Sequence, residues 1–269
     1  MADGVRILLT NDDGIESPGI RALYDDLSTV ADVTVVAPTA DQSAVGRSIS
    51  REVSVVEHEL GYALEGTPAD CVVAGVAELV SGPDLVVSGC NEGANLGEYG
   101  LGRSGTVSAA IEAAFFEVPA IATSLYIPAG NGSYRDRTVT TAEFDEAARF
   151  TSYLVSNAFD EGVIEPGSYL NVNVPLTESD GLSVELTRPS TRYEMDAMRN
   201  GRAITLADRI WETMDPETIP DPAGTDRRAI VEGRISVSPL SAPQRITADD
   251  ALERIVENYP IKKDIPRRE

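Results

Sequence analysis

Residues 5–19 read VRILLTNDDGIESPG. A compact apolar run, Val5 to Leu9, stops at Thr10-Asn11-Asp12-Asp13-Gly14. Ser17-Pro18 then opens a helix, with Ser17 as N-cap and Pro18 at the first helical position. This is the grammar of a first strand in an open α/β sheet, with polar residues gathered at its carboxyl end. Ligands bind at that edge in such folds. The adjacent aspartates are the sharpest chemical signal in the chain.

Outward from this stretch, strand and helix alternate. The spacing predicts a helix to Ser28, a β-branched strand at Val33–Ala37 ended by Pro38, and a polar loop over 39–48. A hairpin is expected from Ile49–Glu57 and Gly61–Leu64. Thr67-Pro68-Ala69-Asp70 then caps a helix that runs through Val80. Asp84–Ser88 is a buried-type strand, and Gly89–Gly105, with six glycines in seventeen residues, reads as a loop. An Ala-rich helix from Thr106 to Phe116 and a strand at Pro119–Leu125 follow. The pattern is that of a three-layer, Rossmann-like, doubly wound and mostly parallel α/β sheet.

Beyond residue 125 the rhythm loosens. A polar loop at 128–140 precedes an amphipathic helix at Thr141–Ala158 and a strand at Tyr169–Val174. Short strands are expected at Leu182–Leu186 and Arg234–Val237, and a last helix at Asp249–Asn258 before the basic tail IKKDIPRRE. Residues 1–125 thus form the core that carries the site. Residues 126–269 complete the sheet as an irregular, β-rich C-terminal extension of what reads as one domain. The irregular segment from Arg188 to Glu232 is expected to act as a self-association arm or a site cover.

The chain has 269 residues, enough for a full core, and a net charge of −22, with 44 acidic against 22 basic residues. That field repels duplex nucleic acid and anionic membranes. The acid is spread along the chain without forming a tail, so two readings stand: adaptation to a high-salt cytoplasm, or an ordinary acidic protein. Cys71 and Cys90 lack CxxC spacing and read as buried free thiols in a reducing compartment. No signal-like N-terminus and no apolar run of about eighteen residues is present, so a soluble, cytoplasmic protein is expected.

Three loops should meet at one sheet edge: Asn11–Ser17, Pro38–Ser48 and Gly89–Thr106. They supply oxygen. Asp12, Asp13, Ser43, Asn91 and Asn95 are hard donors suited to Mg²⁺, Mn²⁺ or Ca²⁺. Gly14 tolerates positive φ and lets the backbone bend, so that both carboxylates can reach one cation. The competing reading of Asp12-Asp13-Gly14 is a turn with Asx caps. Arg103-Ser104-Gly105-Thr106 precedes a helix, whose free N–H groups can hold a phosphate with the Ser104 and Thr106 hydroxyls assisting. Here the competing reading is a glycine-rich loop with an ordinary N-cap. The loop is neither a Walker A nor a dinucleotide fingerprint. The single histidine, His58, falls in the hairpin and reads as solvated. A Ser-His-Asp triad or multi-histidine metal site is thereby excluded. Hydrolysis in such a chain relies on a metal and carboxylates.

With these loops in view, the sequence resembles the SurE family, stationary-phase survival proteins that act as 5′/3′-nucleotidases. The matching segments are ILLTNDDGIESPGI (7–20), VVAPTADQSAVGRSIS (35–50), GTPADCV (66–72), PDLVVSGCNEGANLG (83–97) and SGTVSAAIEAAF (104–115). The later YLNVNVP and GRISVSPL fit more loosely. The resemblance implies one divalent ion per subunit, Mg²⁺ or Mn²⁺, on Asp12, Asp13, Ser43 and Asn91. It also implies hydrolysis of nucleoside monophosphates, and dimers or tetramers with exchanged C-terminal elements. Asp12 is then general base or nucleophile, while Asn95, Ser104, Gly105 and Thr106 stabilise the transferring phosphoryl group. Four positions depart from the family pattern: Thr39 for Asp, Ala44 for Gly, Cys90 for an aliphatic, and Arg47 for a small, polar or histidine residue. Arg47 is expected to touch phosphate affinity or substrate choice.

Two rivals remain. An aspartyl-phosphate phosphatase would favour Asp-x-Asp at the strand end, where this chain has adjacent aspartates. A non-catalytic nucleotide-binding sensor could dispense with a metal ligand, and here every ligand type is present.

Overall fold

The computed structural model describes residues 4–128, 139–159, 164–177 and 182–242. The expected helix at Asp249–Asn258, the basic tail and most of the 128–140 loop lie outside the described residues. A nine-stranded sheet organises the rest, in the order β3-β4-β2-β1-β5-β6-β7-β11-β8. Its strands are β1 (Arg6–Thr10), β2 (Asp32–Pro38), β3 (Val55–His58), β4 (Gly61–Leu64), β5 (Leu85–Glu92), β6 (Ala120–Tyr126), β7 (Ser168–Pro175), β8 (Val184–Leu186) and β11 (Ile235–Ser241). From β4 to β7 every neighbour is parallel. β3 closes one side antiparallel to β4, and β11 runs antiparallel to β7 with β8 parallel beyond it.

The alternation of each strand sorts its side chains between two layers. In β1, Ile7 and Leu9 join one core cluster and Leu8 the other; in β5, Leu85 and Val87 oppose Val86 in the same way. The first cluster packs against α1 (Pro18–Leu27) and α5 (Asp145–Leu154), the second against α2 (Pro68–Ala74) and α4 (Gly105–Phe115). Both faces of a parallel sheet are therefore covered. Leu8 and Leu9 are fully buried, so truncating either to Ala costs about 2–5 kcal/mol.

Helix starts follow the sequence signals. The Ser17 hydroxyl caps α1, and Asn11 Nδ2 stitches the turn by donating to Gly14 O and Ser17 Oγ, each at 2.8 Å. Thr67 and Asp70 form the expected reciprocal box on α2. The helical path continues through a π turn, Gly75–Leu79, to the predicted end.

Several expectations are corrected. Residues 49–54 are irregular, so the first hairpin strand is only Val55–His58; Ser48 and Ser50 are instead tied to Thr67 and Asp70 of the α2 cap. The strand ending at Ser88 in the sequence reading runs on to Glu92 through a bulge, with Asn91 opposite Ser124 and Ser88 opposite Ala122. The Gly-rich segment contains a one-turn helix, α3 (Glu98–Leu101). Within Arg188–Glu232 stands an antiparallel ribbon, β9 (Met195–Asn200) with β10 (Ala203–Asp208), detached from the main sheet. α6 (Asp226–Val231) follows it and leads back into β11.

The order β2-β1-β5 contains the topological switch. After β1 the chain builds outward through β2 and β4, then returns to the other side of β1 for β5, β6 and β7. A crevice opens where the connections part, at the carboxyl ends of β1 and β5. Asp12 and Asp13 follow β1 directly at this point.

Candidate active site

Asp12 lies on the α4 side of the crevice and is almost wholly buried, 3% exposed. Thr106 Oγ1 donates to its Oδ1 at 2.6 Å, and the Thr106 N–H supports the same carboxylate. Gly105 is the contact that lets α4 come so near. A Cβ there would lie 2.7 Å from Asp12 Cβ and 2.8 Å from Oδ2, so any side chain collides with the carboxylate. The N-terminal end of α4 is thus partly committed to holding Asp12. Ser104 Oγ accepts from Val107 N at 3.1 Å as an N-cap, so the Ser104 hydroxyl proton and the Gly105 N–H at the helix start are not used by the helix itself.

Asp13 turns the other way, onto β5. Its Oδ2 accepts from Glu92 N at 2.9 Å. The chain then turns at Gly14, with φ 96°, toward the cap of α1. Asn91 lies one residue from Glu92 on the bulged end of β5; its Nδ2 donates to Gly93 O, which leaves Oδ1 free. The second loop arrives through Gln42 N, which donates to Asp12 O at 2.7 Å, and through Gly46 N, which donates to Arg103 O at 3.2 Å. Ser43 follows Gln42 and is exposed. Asp41 Oδ1 accepts from both Ser43 N, at 2.8 Å, and Ser43 Oγ, at 2.6 Å. The Ser43 proton is therefore engaged and its lone pairs are available.

Burial first, then the negative charge of Asp12, pushes Asp13 up to about 7. Burial also raises Asp12, against the opposing hydrogen bonds from Thr106. Glu92 is raised by burial and by Glu143. No Arg, Lys or His side chain is hydrogen-bonded to Asp12 or Asp13 among the described residues. Two adjacent carboxylates with no cationic side chain hydrogen-bonded to either, tied through Gln42 to the Ser43 loop and through Glu92 to the Asn91 end of β5, offer oxygen donors of the kind that suits a hard divalent ion. Among the described residues no three His, Cys, Asp or Glu side chains cluster as a metal centre. The fit rests on the mixed set of two carboxylates and neutral oxygens.

Asn95 is the fifth oxygen donor expected at this edge. Its Nδ2 donates to Ser124 Oγ at 2.9 Å, which leaves one amide hydrogen and Oδ1 open. His58 stands outside the crevice. Its Nε2 lies 2.9 Å from Glu16 Oε1, so the ring is hydrogen-bonded to Glu16 where a solvated side chain is expected.

The family model for survival protein SurE matches residues 7–196. This chain belongs to the SurE family. The 5′-nucleotidase SurE of Haloarcula marismortui is 60% identical over 258 residues, 96% of each chain. That of Halobacterium salinarum is 52% identical over 259 residues, covering 96% of this chain and 99% of the relative. The crystal structure of the SurE protein from Aquifex aeolicus matches with a TM-score of 0.77 at 31% identity, covering 94% of this chain and all of that one.

The departures from the SurE pattern acquire physical meaning here. Ala44 sits at φ 58°, the left-handed region that costs a residue with Cβ about 1 kcal/mol and explains the usual glycine. Arg47 packs on α4. Its Nε lies 3.8 Å from Glu112 Oε2 and its guanidinium 4.8 Å over the Phe115 ring, both far along α4. Cys90 is fully buried in the α1-side core, and Thr39 N donates to Leu64 O at 2.8 Å. Asp41, Ser124, Asn171 and Asn173 were missed in the sequence. Of these, only the buried polar alternation in YLNVNV carried a signal.

Proposed function

We propose that this chain is a divalent-metal-dependent phosphomonoesterase that hydrolyses nucleoside 5′- and 3′-monophosphates to nucleoside and phosphate. Its SurE relatives at 52–60% identity are named 5′-nucleotidases, which supports the nucleotidase class. The observation that carries the reading is the adjacent Asp12–Asp13 pair at the β1/β5 switch point, with Asp12 held by Thr106 at the N-terminus of α4 and Asp13 by the Glu92 N–H on β5.

Asp12, Asp13, Ser43 and Asn91 would hold one Mg²⁺ or Mn²⁺ ion. Bound there, the ion supplies the Lewis acidity that phosphoryl transfer requires. Asp12 takes the proton of the attacking water, while the Thr106 hydroxyl fixes its Oδ1. The Gly105 N–H, the Ser104 hydroxyl and the remaining amide hydrogen of Asn95 receive the phosphoryl oxygens as charge builds on them. Water oxygen adds to phosphorus, the ester P–O bond breaks, and the nucleoside oxygen leaves and takes up the proton that Asp12 accepted, while the second water proton stays on the phosphate.

The exposed apolar residues Met198, Ile204 and Leu206 of the ribbon support self-association into a dimer or tetramer, because a lone two-stranded ribbon is marginal in water. Buried, unpaired Cys71 and Cys90 support a cytoplasmic setting, and no helix among the described residues is long and apolar enough to cross a membrane. The test is phosphate release from a panel of 5′- and 3′-monophosphates with Mg²⁺ or Mn²⁺. Release from AMP is expected. Failure with every nucleotide and both metals overturns the reading.

A further inference from the structure

The loop that carries Asn95, residues 93–102, has few bonds of its own to the core of residues 1–125, where it originates. The C-terminal half grips it instead: Tyr99 reaches Asp208 and Tyr193, and two further grips lie nearer Asn95. At the first, the Asn173 carboxamide imitates a neighbouring strand: Oδ1 accepts from Asn95 N at 2.8 Å and Nδ2 donates to Asn95 O at 3.1 Å. Asn171 Nδ2 donates to the same carbonyl at 2.9 Å. At the second, two residues on, Asp226 Oδ2 accepts from Gly97 N at 2.7 Å. Asp226 is wholly buried, and its Oδ1 accepts from Ser190 N at 2.9 Å and Arg227 N at 2.8 Å. Ser190 O in turn receives Glu98 N at 2.9 Å. The fit at Gly97 is tight: a Cβ there would meet Arg227 Nη2 at 2.1 Å.

We propose that Asn173 and Asp226 are positioning residues for the phosphoryl-transfer site, two clamps that hold the Asn95 loop against the crevice. The inference rests on the phosphomonoesterase reading above. A side chain that presents one open amide hydrogen to a phosphoryl oxygen must be placed to within a fraction of an ångström to matter. The backbone of Asn95 is fixed from both directions by Asn173, and its side chain by Ser124. Asp226 stops the following residue pair from swinging away. Neither clamp touches the proposed ion ligands, so the clamps act on the phosphoryl side alone. This also gives residues 126–242 a catalytic purpose beyond completing the sheet.

Asp226→Asn is a selective cut. The amide keeps two bonds if its oxygen faces Ser190 and Arg227, which sets its NH₂ against the Gly97 N–H and releases the loop. Asn173→Leu keeps similar volume and removes both bonds to Asn95. Three readouts are taken on the full chain: amide hydrogen exchange across 93–102, divalent-ion affinity by calorimetry, and kcat and KM for AMP. Expected in both variants is a loss of loop protection of about tenfold or more, with kcat down by a similar factor and metal affinity within about twofold of wild type. A purely structural role would weaken metal binding and global stability together with activity. Unchanged loop exchange and kcat in an active, folded Asp226→Asn protein overturn the proposal. Should Asn173→Leu fail to fold, Asp226→Asn alone decides. Wild-type protein without phosphate release removes the parent reading, while the exchange data still report whether the clamps hold the loop.

Discussion

Gly105→Ala separates the position of Asp12 from the stability of the fold. The added Cβ lies 2.7 Å from Asp12 Cβ, 3.1 Å from Cγ and 2.8 Å from Oδ2. Carbon–carbon contacts settle at about 3.5–4.0 Å, so relief requires a shift of roughly 1 Å. Asp12 is 3% exposed and tied to Thr106 and Gln42, so it cannot yield freely. Overpacking of this kind costs about 1–3 kcal/mol. Alanine recovers up to about 1 kcal/mol over glycine in a helix, less at its first residue. The net loss is about 1–2 kcal/mol, small beside the stability of a domain of this size. Catalysis suffers far more, since a displacement of about 1 Å at a reacting group costs about 100-fold. Gly100→Ala is the control, because its Cβ meets nothing within 4 Å. Urea unfolding midpoints and kcat/KM for AMP are measured on both variants. Gly105→Ala with more than half the wild-type kcat/KM would refute the seating or the role of Asp12.

Three further outcomes are expected. Asp13, at about 7 in the metal-free fold against an ordinary value of 3.8, binds more protons folded than unfolded between those limits. Metal-free stability therefore falls as pH rises from about 4 to 7, and ion binding at pH 6 releases protons, with affinity climbing as pH approaches 7. Calorimetry in buffers of different ionisation heat checks this, and no proton release counts against it. With a net charge of −22, the melting temperature should rise from low to molar KCl; full stability at low salt would remove the salt-adapted reading. Leu206→Asp, on the ribbon, should lower the assembled mass in light scattering without unfolding the protomer, and an unchanged mass would show that the ribbon does not mediate assembly.

The core elements were legible wherever a residue's role was local. β1, α1 and the cap at Thr67 announced themselves through apolar runs, Ser-Pro and Thr-x-x-Asp, because each signal and its consequence lie within one turn. The paired aspartates were legible for the same reason. The β9–β10 ribbon was not, since periodicity reports burial against a chain's own core and Met198, Ile204 and Leu206 face solvent. The extension of β5 was hidden because its one glycine, Gly89, marks a bulge and not the start of a loop. The partners of Arg47 were hidden because nothing within its own segment reveals Glu112 and Phe115. Asp226 reaches Gly97 across 129 residues, a pairing no local pattern encodes.

The account stands or falls on whether Asp12 and Asp13 together serve a bound cation. The direct measurement is phosphate release from AMP, with EDTA and then added Mg²⁺ or Mn²⁺, in wild type and in Asp12→Asn and Asp13→Asn. Loss in EDTA, recovery with metal, and no metal-dependent turnover in either variant are predicted. Release that survives EDTA, or near-normal rates in both variants, would contradict it.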